Sequence, residues 1–205
     1  MEQNKKTKIL AIADIHNDSR LVMRLAQRAK NENVDIVILA GDLTWLNKEP
    51  KNIIGPFIEQ NKKVLLLHGN HDSPETINFL SELYPNTKNI HGYGFKHNDV
   101  GIFASGGADF GIEPMSENDF KTTLSSAHSY IKDLTKKIMI THMHPAGTKS
   151  EFSGIDGSLS IRRAIEKFQP DFALFGHIHE ASGIEEKIGK TTLINISRKE
   201  VVFEI

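Results

Sequence analysis

The chain has 205 residues, 39% of them hydrophobic and 25% charged, an ordinary globular composition with length enough for one sizeable core. Its formal net charge is −1, so no global electrostatic argument for nucleic acid or a membrane surface is available. The absence of cysteine excludes disulfides, thiolate chemistry and Cys-ligated zinc, and fits a reducing compartment.

The opening segment, MEQNKKTKILAIAD, has an apolar run too short for the core of a signal peptide and lacks a small-residue cleavage site. No later apolar run approaches the ~20 residues that span a bilayer. A soluble, cytoplasmic protein is expected. KILAIAD (8–14) reads as a buried strand, and residues 18–31 carry Leu21, Leu25 and Ala29 at helical spacing. DIVILAGD (35–42) reads as a second strand, 50–60 as a helix after Pro50, and KVLLLHG (63–69) as a third strand. Ser73-Pro74-Glu75 opens a helix to about Leu83, with Ser73 as the cap and Pro74 at the first helical position. Strands that alternate with helices predict a parallel sheet built of βαβ units.

Residues 89–107 read as short strands joined by Gly and Asn-Asp turns, and 106–120 as an irregular Gly-rich loop. That loop carries Asp109 and Phe110 and is either a lid or a plain connection. A helix is expected over 118–136, then strand KIMITH (137–142), loop 143–157, a helix over 158–168 and strand DFALFGH (171–177). From Gly183 onward the pattern is alternating strands with a Gly189-Lys190 turn. Residues 1–205 read as one domain with two sheets.

The strand ends carry the chemistry. They are Asp14-Ile15-His16, Gly41-Asp42, Gly69-Asn70-His71-Asp72, His142 and Gly176-His177-Ile178-His179. In open α/β sheets, ligands bind beyond the carboxyl ends of the strands. Mixed carboxylate and imidazole suit two adjacent divalent ions, Mn, Fe, Zn, Co or Ni rather than calcium. Asp42 has two oxygens and is the natural bridge, and Asn70 adds a neutral amide oxygen. Two ions ~3.5–4 Å apart clamp the attacking and leaving oxygens of an in-line displacement and make hydroxide available near neutral pH. His71 is then free to protonate the leaving oxygen, with Asp72 fixing its orientation.

In this order, D-x-H, G-D, G-N-H-D, a lone H and G-H-x-H resemble the motifs of the calcineurin-like metallophosphoesterases. The resemblance runs from Lys8 to the C-terminal strands. Thr141-His142-Met143-His144-Pro145-Ala146-Gly147 and Gln169-Pro170-Asp171 are similar to elements of a small predicted phosphoesterase branch. It implies an α/β fold, a four-layer α/β/β/α sandwich of two mixed sheets flanked by helices. It also implies that Asp14, His16, Asp42 and His179 hold one metal and Asp42, Asn70, His142 and His177 the other, with manganese favoured and His71 the leaving-group acid. The expected partner is a small phosphorylated substrate, a nucleotide among the candidates, with no membrane. A catalytically weak binding or scaffold protein on the same fold is opposed by the intact ligand set. A nuclease is opposed by the charge of −1 and the lack of a long basic run.

Outside the motifs, His91, His97 and His128 read as surface or packing residues and His68 as packing beneath Asn70. His144, two residues beyond His142, is a possible substrate contact. Arg162 and Arg163 read as the solvated flank of their helix.

Overall fold

A computed structural model describes residues 6–205. The start of the segment read above for a leader, residues 1–5, lies outside the described residues. The first half of the chain builds β1 (Lys8–Ile12), α1 (Ser19–Asn31), β2 (Ile36–Ala40), α2 (Gly55–Glu59), β3 (Lys63–Leu67), α3 (Pro74–Leu83) and β4 (Thr87–Asn89). The second half builds β5 (Gly94–His97), β6 (Val100–Ser105), α4 (Glu117–Ser129), β7 (Lys136–Thr141), α5 (Leu159–Phe168), β8 (Phe172–Phe175), β9 (Glu185–Ile188), β10 (Thr191–Asn195) and β11 (Val201–Glu204).

The strands form two sheets, ordered β11-β1-β2-β3-β4 and β5-β6-β7-β8-β10-β9. Within each, a parallel centre carries antiparallel edges: β11 on β1 in the first, β5 on β6 and β9 on β10 in the second. Side chains alternate faces along a strand. In the first sheet, Ile9, Ala11, Ile36, Ile38, Leu65 and Leu67 face inward onto Val100, Ile102, Ile138, Ile140 and Leu174 of the second. The intervening Leu10, Ile12, Val37, Leu39, Val64 and Leu66 face outward under α1, α2 and α3, through Leu25, Phe57 and Ile77. On the far side, Phe103, Met139 and Phe175 meet Phe120 and Leu124 of α4 and Ile161 and Ile165 of α5. Four layers follow, as the resemblance implies, and strands buried on both faces explain why these segments read as continuous apolar runs. Among the described residues, no helix is long and apolar enough to cross a membrane.

The strands are shorter than their apolar runs. They stop at Ile12, Ala40, Leu67 and Phe175, so the polar motif residues belong to the turns beyond. The helix expected over 50–60 is only Gly55–Glu59, and that expected over 118–136 ends at Ser129. Ser73 caps α3 by accepting the Thr76 amide, with Pro74 in its first turn. Ser116 and Asp119 form a reciprocal capping box at α4.

Candidate metal centre

The turns after β1, β2, β3, β7 and β8 meet at one edge of the two sheets. They leave the strands through left-handed backbone: φ is 60° at Asp14, 48° at His16, 52° at Asp42 and 74° at His177. Non-glycine residues in this region are strained and persist where surrounding bonds over-determine them. Those bonds are present. The Asp14 amide donates to the Gly41 carbonyl, and the His16 amide to the Asp42 carbonyl at 2.9 Å. The His71 amide donates to Asp42 Oδ1 at 2.8 Å, and the His177 amide to Asp14 Oδ2 at 3.1 Å. Close approach also dictates glycine. A Cβ on Gly69 would overlap Asp42 Oδ1, and one on Gly41 would collide with the His142 ring and lie 2.9 Å from Gly69 Cα.

All seven residues expected as metal ligands come together. Asp14 Oδ1 lies 3.3 Å from His179 Nε2 and 3.9 Å from His16 Nε2. Asp42 turns Oδ2 toward His16 Nε2 at 3.6 Å and Oδ1 toward His142 Nε2 at 3.5 Å. Asn70 Oδ1 lies 3.0 Å from both His142 Nε2 and His177 Nδ1. Two overlapping groups have atoms close enough to share an ion: Asp14, His16 and His179, and Asp14, Asp42 and His142.

The donor chemistry fits cations. His16 Nδ1 sits 3.1 Å from the Thr44 carbonyl, and His142 Nδ1 sits 3.0 Å from the Ala40 carbonyl. A carbonyl only accepts, which assigns the hydrogen to Nδ1 in both rings. Neutral His16 then presents its Nε2 lone pair to the Asp42 carboxylate, an arrangement that calls for a cation between them, while His142 Nε2 faces oxygens of Asp42 and Asn70, which call for a proton or a metal ion there. An imidazole that donates its other N–H to a carbonyl is the usual support of a metal-ligating histidine. Asp14 Oδ1 and His177 Nε2 are also buried without a hydrogen-bond partner among the described residues.

Proton affinities agree. Burial opposes ionisation of Asp14, but contact with His179 and the charge of His142 outweigh it and hold its pKa at about 2. Burial, with His142 beside it, pushes His177 down to about 3, and burial also lowers His16. Burial works against the charged form of His142, yet Asp42 and Asp14 prevail and its pKa is raised. The contact with Asp14 raises His179. The Asp14 carboxylate is ionised, and with Asp42 it favours positive charge on the His142 and His179 rings beside it.

Two expected roles change. Asp72 does not orient His71. Its Oδ1 accepts the Thr44 amide at 2.8 Å and the Thr44 hydroxyl at 2.7 Å, while Oδ2 accepts the amides of Leu43 and Gly69. The buried Asp72 carboxylate therefore ties the turn after β2 to the turn after β3. His144 does not line the cavity. It is fully buried, its Nε2 lies 3.2 Å from the Ile155 carbonyl, and its ring stacks behind that of His177.

The cavity over the centre has a volume of about 240 Å³ and is lined by His16, Asp42, Trp45, Asn70, His71, Phe110, Ile155, His177, Ile178, His179 and Glu180. His71 stacks flat on Trp45, with centroids 4.4 Å apart and planes at 16°. Phe110 stands 5.1 Å from the His177 ring, and its loop is pinned to the centre by the Ile112 amide donating to the Asn70 carbonyl. Trp45, Thr44, Ile155 and Glu180 escaped the sequence reading. Trp45 left one signal: it is the only tryptophan, three residues past Asp42.

Over 62 residues the chain is 34% identical to the UPF0046 protein K07C11.7 of Caenorhabditis elegans, a stretch that is 30% of this chain and 21% of that protein. The match thus spans about a fifth of that relative's length. Among solved structures, TT1561 of Thermus thermophilus superposes with a TM-score of 0.74 at 19% identity, over 93% of this chain and 89% of that one. A dimetal phosphatase from Danio rerio gives 0.63 at 11% identity, over 92% and 86%. An archaeal phosphodiesterase gives 0.56 at 16% identity, over 97% and 99%. At these identities the structures establish a shared fold. The family profile described as calcineurin-like phosphoesterase matches residues 7–181, most of the chain and every turn of the centre, and on that match the chain belongs to the calcineurin-like phosphoesterases.

Proposed function

We infer that this chain is a dinuclear metal-dependent phosphoesterase. Asp14, His16, Asp42 and His179 would hold one ion, and Asp42, Asn70, His142 and His177 the second. The observation that carries this reading is the placement of Asp42, whose two oxygens face His16 on one side and His142 on the other at 3.6 and 3.5 Å. Divalent ions bound there, with manganese favoured, supply charge for the phosphate and an activated water.

The residues of the chain do the rest. Asp14 stays ionised, and the two carboxylates keep the number of acidic groups at the centre small. Asn70 adds an oxygen without adding charge. His71 is on the cavity wall, its Nε2 3.9 Å from Asp42 Oδ2, and stacking on Trp45 fixes the ring plane. It delivers a proton from Nε2 to the leaving-group oxygen.

The test is a manganese-reconstituted protein with metal counted per chain and turnover screened on phosphomonoesters, diesters, cyclic nucleotides and nucleic acid. Two ions per chain with ester hydrolysis is the expected result. Two ions without turnover would make this a binding protein, and selective cleavage of nucleic acid would make it a nuclease.

A further inference from the structure

We propose that, if the centre is a phosphoesterase site as read above, its substrate is a phosphate ester of an uncharged, apolar alcohol, held by Trp45, Phe110 and Ile155. Twelve large apolar side chains are exposed among the described residues, and six of them sit on the three loops that border the centre: Trp45, Leu46, Phe110, Ile112, Phe152 and Ile155. Scattered single residues would need no explanation, but clustering beside a site marks a surface that binds. Three of the six, one from each loop, line the cavity itself and are 44%, 46% and 39% exposed.

Position gives these walls their role. The alcohol departs past His71, the assigned proton donor, and Trp45 is flat against that ring. Phe110 stands against His177 on the wall of the same cavity. A leaving group in this cavity departs from a space walled by an indole and a phenyl ring.

Charge points the same way. Among the described residues no Lys or Arg lines the cavity, and outside the candidate ligands and His71 its one charged wall residue is Glu180. Arg198, the arginine that reaches the back of the centre, donates to the Asp14 and Ile15 carbonyls and pairs with Asp18. A second phosphate or a carboxylate on the alcohol would find a carboxylate and no cation to offset its desolvation. A nucleobase would find few groups to read its polar edge.

Binding of methyl-, butyl- and octylphosphonate to the manganese-loaded chain, by titration calorimetry, tests this without turnover. Affinity should rise at least about tenfold from methyl to octyl, against a ceiling of roughly fourfold per fully buried methylene. Trp45→Ala and Phe110→Ala should each flatten that rise. A carboxylate-terminated analogue should bind more weakly than the alkyl one of equal length, and Glu180→Gln should narrow the gap. Equal affinity at all lengths, no binding at any length, or preference for the carboxylate overturns the proposal. Turnover of nitrophenyl esters by the same preparation separates the two readings. Turnover with a flat series removes only the apolar substrate, and a steep series without turnover removes only the enzyme.

Discussion

His71 and Asp72 are neighbours in the chain with different tasks, and substitution should separate them. His71 holds no position in either proposed ligand set, so His71→Ala should keep both metals and lose turnover by about 10²–10⁴-fold, the usual worth of general acid catalysis. The loss should be largest for alkyl esters, whose alkoxide needs the proton, and smaller for nitrophenyl esters. Metal content measured beside a leaving-group series checks this, and lost metal or an equal defect across the series would remove the acid role. Asp72 is a structural clasp. Asp72→Asn replaces an accepting oxygen with an NH2 that faces backbone amides, leaving buried donors unpaired at a cost of about 1–3 kcal/mol each. Urea unfolding should show the loss as a lower midpoint. Unchanged stability with reduced turnover would instead return Asp72 to an orienting role.

At the scale of elements, α4 and α5 meet through His128, whose ring stacks on Phe168 with centroids 4.0 Å apart. Burial, then Lys137 and Lys167, lowers the His128 pKa, and its Nε2 is buried without a hydrogen-bond partner. The unfolded chain therefore takes up this proton first as pH falls, and stability drops as pH falls below the ordinary histidine value of ~6.5. His128→Phe should shrink the loss of Tm between pH 8 and pH 5, and an unchanged loss would show that the helix pair does not sense this group. The elements themselves were largely legible. Apolar runs gave the central strands, and Ser73-Pro74 gave the start of α3. Helix ends were not, because residues 130–136 keep apolar spacing while the chain turns back toward β7. The candidate ligands were legible because strand ends concentrate them. Trp45 and the true partners of Asp72 were not. They depend on how the turn after β2 folds over the turn after β3, which no local pattern encodes.

On the scale of the whole molecule, the first sheet supplies Asp14, His16, Asp42 and Asn70, and the second supplies His142, His177 and His179. Each proposed half-site draws on both sheets, so bound ions would join the layers at one edge. Saturation of one site at a hundred times its Kd adds about 2.7 kcal/mol to stability, and of both sites about twice that. For a chain of this size that is roughly 5–10 °C in Tm for one ion and about 10–20 °C for both. Chelation should lower Tm by this much and manganese restore it, whereas a Tm indifferent to chelator would place the ions outside the fold's stability. The left-handed backbone at His16 and His177 has a different consequence, one for lineages rather than single molecules. Glycine adopts such φ values freely, whereas a side chain there costs of order 1 kcal/mol. In a lineage that had lost its metals, glycine at both positions would be favoured and the centre would erode. While ions are bound, what they add to stability outweighs that strain and keeps the two imidazoles in place.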